Sequence, residues 1–168
     1  MKKNIIQSTV GVCANPNDVT SIDAIITAAY DVISGPAGQK RDLARERSLF
    51  LPGARLIPTA PKPGTTGKSE IAPQFLDMEG YISRVEPYFE QNGFYEKEVA
   101  RRTEQFGQIA QVWSTYESRH SENDPEPFMR GINSIQLFND GTRWWIITIY
   151  WQHESPDDPL PEKYLRRL

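Results

Sequence analysis

The chain has 168 residues, a length that suits one domain. Its 19 Lys and Arg against 22 Asp and Glu give a formal net charge of −3, which argues against a nucleic-acid binder relying on a global positive field. A single cysteine, Cys13, excludes an intramolecular disulfide framework and a multi-cysteine zinc site, and two histidines, His120 and His153, leave little for a metal centre.

Met1-Lys2-Lys3 and the residues up to Cys13 mimic the start of a secretion signal, but Gln7, Ser8 and Thr9 interrupt the apolar stretch. Residues 1–17 therefore read as an N-terminal arm. No apolar run approaches the roughly 18 residues of a membrane span, so the expectation is a soluble, cytoplasmic protein without a membrane partner. Val19, Ile22, Ile25, Ile26, Ala29, Tyr30 and Ile33 recur at three- and four-residue steps after the cap candidates Asn17 and Asp18, predicting a helix over 18–34. Gly35-Pro36 ends it, and a second, shorter helix is predicted over 41–50. Ala54 to Ile57 suits a short strand. The following Pro58, Pro61, Pro63, Gly64 and Gly67 read as a long loop, open to interpretation as a binding loop or a plain surface excursion.

Helical spacing returns over 76–91 through Tyr81, Ile82, Val85, Tyr88 and Phe89, with a kink expected at Pro87. The remainder is β in character, with strands predicted over 94–106, 109–119, 128–138 and 143–154. Helices first and strands last make an α+β domain over 18–154. The tail, 155–168, carries Pro156, Pro159 and Pro161 and suits neither a strand nor a long helix, leaving it to cap the mouth of a pocket or the edge of a dimer.

Asp140-Gly141 stands where a two-residue hairpin turn wants it, so Asn139 should face Thr142. That register puts Asn133, Ile135, Leu137, Trp144, Ile146, Thr148, Tyr150 and Gln152 on one face. It puts Trp145, Ile147, Ile149, Trp151 and His153 on the other. Both faces of the last strand are apolar, which requires cover on both sides. Too few helices remain for that. The reading favoured is a homodimer through the Trp145, Ile147, Ile149 and Trp151 face, the alternative being cover by the N-terminal arm or the C-terminal tail.

This order of elements, with the segment Asn139-Asp140-Gly141-Thr142-Arg143-Trp144-Trp145-Ile146 and the opening Ala28-Ala29-Tyr30 and Leu49-Phe50, resembles the nuclear transport factor 2-like superfamily. That superfamily includes SnoaL-like polyketide cyclases, ketosteroid isomerases and scytalone dehydratases. The resemblance covers 18–154 and implies a cone of three helices on a strongly curved, mostly antiparallel sheet. It also implies a small, mostly apolar pocket and commonly a dimer through the convex face. It specifies a fold better than an activity, because one fold hosts many chemistries.

On this reading Tyr30, Asn133, Thr148, Tyr150 and Gln152 are the ligand-binding candidates, polar groups converging in an apolar wall. Tyr30 sits where ketosteroid isomerases carry a phenol that donates to an oxyanion. The carboxylate base those enzymes need after the second helix is missing, since Arg55, Leu56, Ile57 and Pro58 stand there. His153 is the other catalytic candidate, because an imidazole is the commonest general acid–base side chain, although its face points away from the cone unless a bulge reverses the strand's end. His120 lies in a polar turn and reads as exposed. Glu96, Glu98, Arg101, Arg102 and Glu104 read as charges on a solvated strand. Trp113 and Tyr116 must occupy opposite faces, with no sign of which one faces the pocket.

Two functions follow. One is a small-molecule-binding protein, with lyase, isomerase or cyclase activity as its extension, acting on an apolar ligand without metal or organic cofactor. The other is a non-catalytic dimeric interaction module, which a buried carboxylate or histidine in the pocket would count against.

Overall fold

The computed structural model describes residues 13–63 and 69–166, and the arm predicted at the N-terminus lies for the most part outside them. Helix α1 (Pro16–Val19) is a single turn with Asn15 as its cap, and α2 (Ile22–Ile33) starts afresh where Ser21 Oγ accepts from Ala24 N at 3.0 Å. The single helix predicted over 18–34 is thus two. The break follows from competing caps, and Asp18 is freed to take Arg45 at 2.8 and 3.0 Å. Helix α3 (Leu43–Leu49) begins at the Asp42 cap, because the Arg41 guanidinium is committed to the carbonyls of Ile33, Gly35, Pro36 and Gln39. Helix α4 (Met78–Gln91) is capped by Asp77 and runs through Pro87.

Six strands follow the order β2-β1-β6-β5-β4-β3 in one sheet: β1 (Phe50–Pro63), β2 (Ser69–Pro73), β3 (Tyr95–Phe106), β4 (Ile109–Arg119), β5 (Met129–Asn139) and β6 (Trp144–His153). Only β1 and β6 pair in parallel within this described sheet. Of the proline-rich stretch predicted as a loop, Pro58 to Pro63 is instead the far half of β1, paired with β2, and Gly64 and Gly67 lie outside the described residues. Pairing of β1 with β6 ends at Pro58↔Trp151, and beyond it only β2 lies alongside, so a proline there can turn its missing donor to an unpaired side. Bulges in β1, in β3 and in the β5–β6 pairing bend the sheet around the helices.

The hairpin register departs from the prediction twice. Asn139 pairs with Trp144, not Thr142, because Asp140 Oδ1 accepts the amides of Thr142 and Arg143 at 2.8 and 2.9 Å and widens the turn. This shift of two residues leaves the faces unchanged, so Trp144 and Ile146 turn inward as expected. Then Leu137 pairs with Ile146 and Gln136 with Thr148, leaving Ile147 as an extra residue. From there the faces exchange: Ile149 and Trp151 turn toward the helices, while Tyr150 and Gln152 turn away.

The continuous dimer face of Trp145, Ile147, Ile149 and Trp151 therefore does not exist, since the bulge splits it between the two sides. The convex side also carries the chain's own tail. A 3-10 turn, Glu162–Tyr164, is strapped there by Thr115 Oγ1 donating to the Tyr164 carbonyl at 2.6 Å and by Arg102 donating to that of Lys163 at 2.9 Å. The Tyr164 ring packs on Trp113 at 5.8 Å between centroids. Trp113 thus faces the convex side and Tyr116, 1% exposed, the concave core with Ile25, Ile26, Leu49, Val112, Ile135, Leu137 and Ile146.

Candidate functional site

A cavity of about 310 Å³ lies between α2, α3, α4 and the concave face. Its wall is mostly apolar and rich in aromatic rings, with Tyr81 and Trp151 meeting edge to face at 6.2 Å and Phe89 and Phe94 tilted against each other at 5.3 Å. Six polar side chains interrupt that wall within: Tyr30, Glu46, Tyr81, Glu96, Tyr116 and Asn133, with Arg84 and Tyr88 exposed at its margin.

Tyr30, on α2, reaches across to β4 and β5, where its hydroxyl lies 2.7 Å from Ser114 Oγ and accepts from Asn133 Nδ2 at 3.0 Å. Ser114 donates onward to the Glu98 carboxylate, which also receives Arg101. A carboxylate paired in this way only accepts, so Ser114 spends its proton on Glu98 and must accept from Tyr30. The order of donation is Asn133 to Tyr30 to Ser114 to Glu98. Burial, with the Glu96 charge nearby, raises the Tyr30 phenol far above its ordinary range, so it keeps its proton, already committed away from the cavity. Tyr30 holds Asn133 in place and has no hydrogen to offer an oxyanion.

Glu96, on β3, is the group that Asn133 in turn supports. Its carboxylate accepts from Ser118 Oγ at 2.8 Å and from the Asn133 amide, and desolvation outweighs both, pushing its pKa up to about 7. The residue keeps some accessible area because it borders both the cavity and a polar groove behind it that Tyr30 shares. Glu46, on α3, is 3% exposed and is pushed up to about 7 as well, by burial first, against a smaller opposing pull from Arg47. Its carboxyl has no hydrogen-bond partner among the described residues. Tyr116 is buried with its hydroxyl unpartnered. Such orphaned groups in an apolar wall carry a desolvation cost that a bound molecule would relieve.

Of the five sequence-derived ligand candidates, Tyr30 and Asn133 border the cavity. Thr148 lies mid-strand, paired with Gln136 and Arg55, and does not border it. Tyr150, 44% exposed, and Gln152 border a separate groove under the tail, with Gln152 donating to Asp158. The cause is the extra residue at Ile147. His153 stands exposed at the end of β6, opposite Gly131 and away from the cavity wall. His120 is exposed and stacks on Phe128 at 4.0 Å. Sequence reasoning missed Glu96 and Glu46, yet both left a trace. Glu96 shares strand parity with the buried Phe94, and Glu46 falls three residues before Leu49 on the apolar stripe of its helix. Among the described residues, no three His, Cys, Asp or Glu side chains gather as a metal site, and no helix is long and apolar enough to cross a membrane.

No protein-family model matches the chain, and no curated protein does. Solved structures do. A protein of unknown function from Silicibacter pomeroyi DSS-3, described as NTF-2 like, is similar at 11% identity with a TM-score of 0.50, over 80% of this chain and 94% of that one. An NTF2-like protein of unknown function from Shewanella baltica OS155 is similar at 14% identity with a TM-score of 0.46, over 80% of this chain and 91% of that one. At these identities the likeness speaks to fold, and it rests on the Silicibacter structure. Together with a curved six-stranded mixed sheet wrapped around helices that enclose a cavity, it identifies the chain as having the nuclear transport factor 2-like fold.

Proposed function

We propose that the protein binds a small, largely apolar, ring-containing molecule in the helix-lined cavity and moves a proton on it without a cofactor, with Glu96 as the acid–base group. The observation that carries this reading is the Glu96 carboxyl itself, held by Ser118 and Asn133 at the cavity and pushed up to about 7. A general base works best with a pKa near the operating pH, and few carboxylates outside active sites are tuned there. Asn133, fixed by Tyr30, aims the base, and the apolar wall desolvates it on the cavity side. Proton abstraction beside a carbonyl is the step that isomerases, lyases and cyclases share, so the reading extends to all three. It also takes the place of the purely non-catalytic module, which predicts no carboxylate at the cavity.

Exchange of the acidic hydrogens of 2-tetralone in deuterium oxide tests this. The native chain should accelerate deuterium uptake above buffer, and Glu96→Gln should return it to the buffer rate. Equal rates for the native chain and the variant would remove Glu96 from this role.

A further inference from the structure

The charge of the cavity is lopsided. Glu46 and Glu96 both border it, and the one cation among the described lining residues is Arg84, exposed at the margin and donating to Gln74. Of the two cations beside Glu46 in sequence, Arg45 is held by Asp18 and Asp31, and Arg47 by Glu79 through bonds of 2.7 and 2.8 Å. The interior hydrogen-bonding capacity leans the same way. Glu46 accepts nothing from the described residues, and the Tyr116 hydroxyl, on a residue 1% exposed, is without a partner. Around these groups stand the rings of Tyr81, Tyr88, Phe89, Phe94 and Trp151, whose faces carry partial negative charge.

We propose that the molecule the cavity takes carries a basic nitrogen and binds as an ammonium cation, facing the Glu46 and Glu96 carboxylates with its apolar body against the aromatic wall. This rests on the binding half of the reading above and adds the ligand's chemical class. A cation is the one class of ligand that answers three features at once. It compensates carboxylates that would otherwise be buried without a counter-charge, it supplies N–H donors to the orphaned Tyr116 oxygen, and it gains from ring faces. A neutral ligand leaves the carboxylates uncompensated. An anion is repelled by them across a low-dielectric space.

Three probes of one skeleton separate the possibilities: 3-phenylpropylamine, 3-phenylpropan-1-ol and 3-phenylpropanoate, titrated calorimetrically into the full chain at pH 7.5. The amine should bind about tenfold or more tighter than the alcohol, and the carboxylate weakest. In a Glu46→Gln/Glu96→Gln variant whose near-ultraviolet circular dichroism matches the parent, that preference should fall to near unity while the alcohol keeps its affinity. An alcohol that binds as tightly as the amine overturns the cationic ligand and leaves the cavity reading standing. Failure of all three to bind overturns both.

Discussion

The two halves of β6 make an instructive pair. Before Ile147 the strand obeys simple alternation, with Trp144 and Ile146 inward and 6% and 0% exposed. After it the alternation is intact but inverted, so Ile149 and Trp151 meet the helices and Tyr150 and Gln152 meet solvent and the tail. One residue without a partner converts what reads as an uninterrupted apolar dimer face into half a cavity wall. A strand's two faces are assigned by pairing, and pairing is not local.

Inserting one alanine between Thr148 and Ile149 tests that comparison most severely. The added residue would turn Gln152 and Tyr150 into the cavity and Trp151 out of it, and chemical denaturation should show a loss of about 4 kcal/mol or more. Next in size is the acid that the inward face surrounds. Glu46 has an ordinary pKa of 4.5 raised to about 7 in the fold, so between those values the native state holds more protons than the unfolded one. Stability therefore falls as pH rises through that window, and the penalty is complete above it. Glu46→Gln should leave stability unchanged at pH 4 and raise it by roughly 3 kcal/mol at pH 8, read from urea midpoints.

Trp151→Ala should cost roughly 2 to 3 kcal/mol by loss of its packing on Tyr81, while Tyr150→Ala, one residue away on the other side, should stay within about 1 kcal/mol. Equal losses would mean that the exchange of faces is wrong. The smallest effect concerns the residue opposite the strand's end. A methyl on Gly131 would lie 2.4 Å from the Gln152 carbonyl and 2.6 Å from Tyr116 Oη, so Gly131→Ala should cost about 1 to 3 kcal/mol.

The kind and order of the major elements were legible because their signals are local. Helical stripes, the Asp140 turn and the β-rich second half depend on neighbours a few residues apart. The errors have longer reach. Pro58, Pro61 and Pro63 suppress a strand in any local reading, and it is the end of β6 pairing at Pro58 that makes Pro61 and Pro63 acceptable beyond it. Unbroken alternation places Thr148, Tyr150 and Gln152 in the pocket, and Ile147 interrupts it. Glu96 reads, in sequence, with its charged neighbours on β3. Glu98 and Arg101 do form the pair such a reading expects, and Glu96 differs only in sitting between Ser118 and Asn133, residues contributed by other strands. Tyr30 was recognised from its position, but the direction of its hydrogen bond depends on Glu98 and Ser114, which nothing near it in sequence reveals.

The last strand of the sheet in chain order is not at the sheet's edge. β6 lies between β1 and β5, and its parallel pairing joins Phe50 to Ile146 and Pro58 to Trp151. Until the chain has been synthesised past residue 153, β1 and β5 each present an unpaired edge, and the aromatic residues meant for the cavity have no floor to pack on. Long-range closure of this kind slows folding and prolongs exposure of adhesive strand edges. A nascent chain stalled before β6 should therefore be a far better client for chaperones than one that carries it.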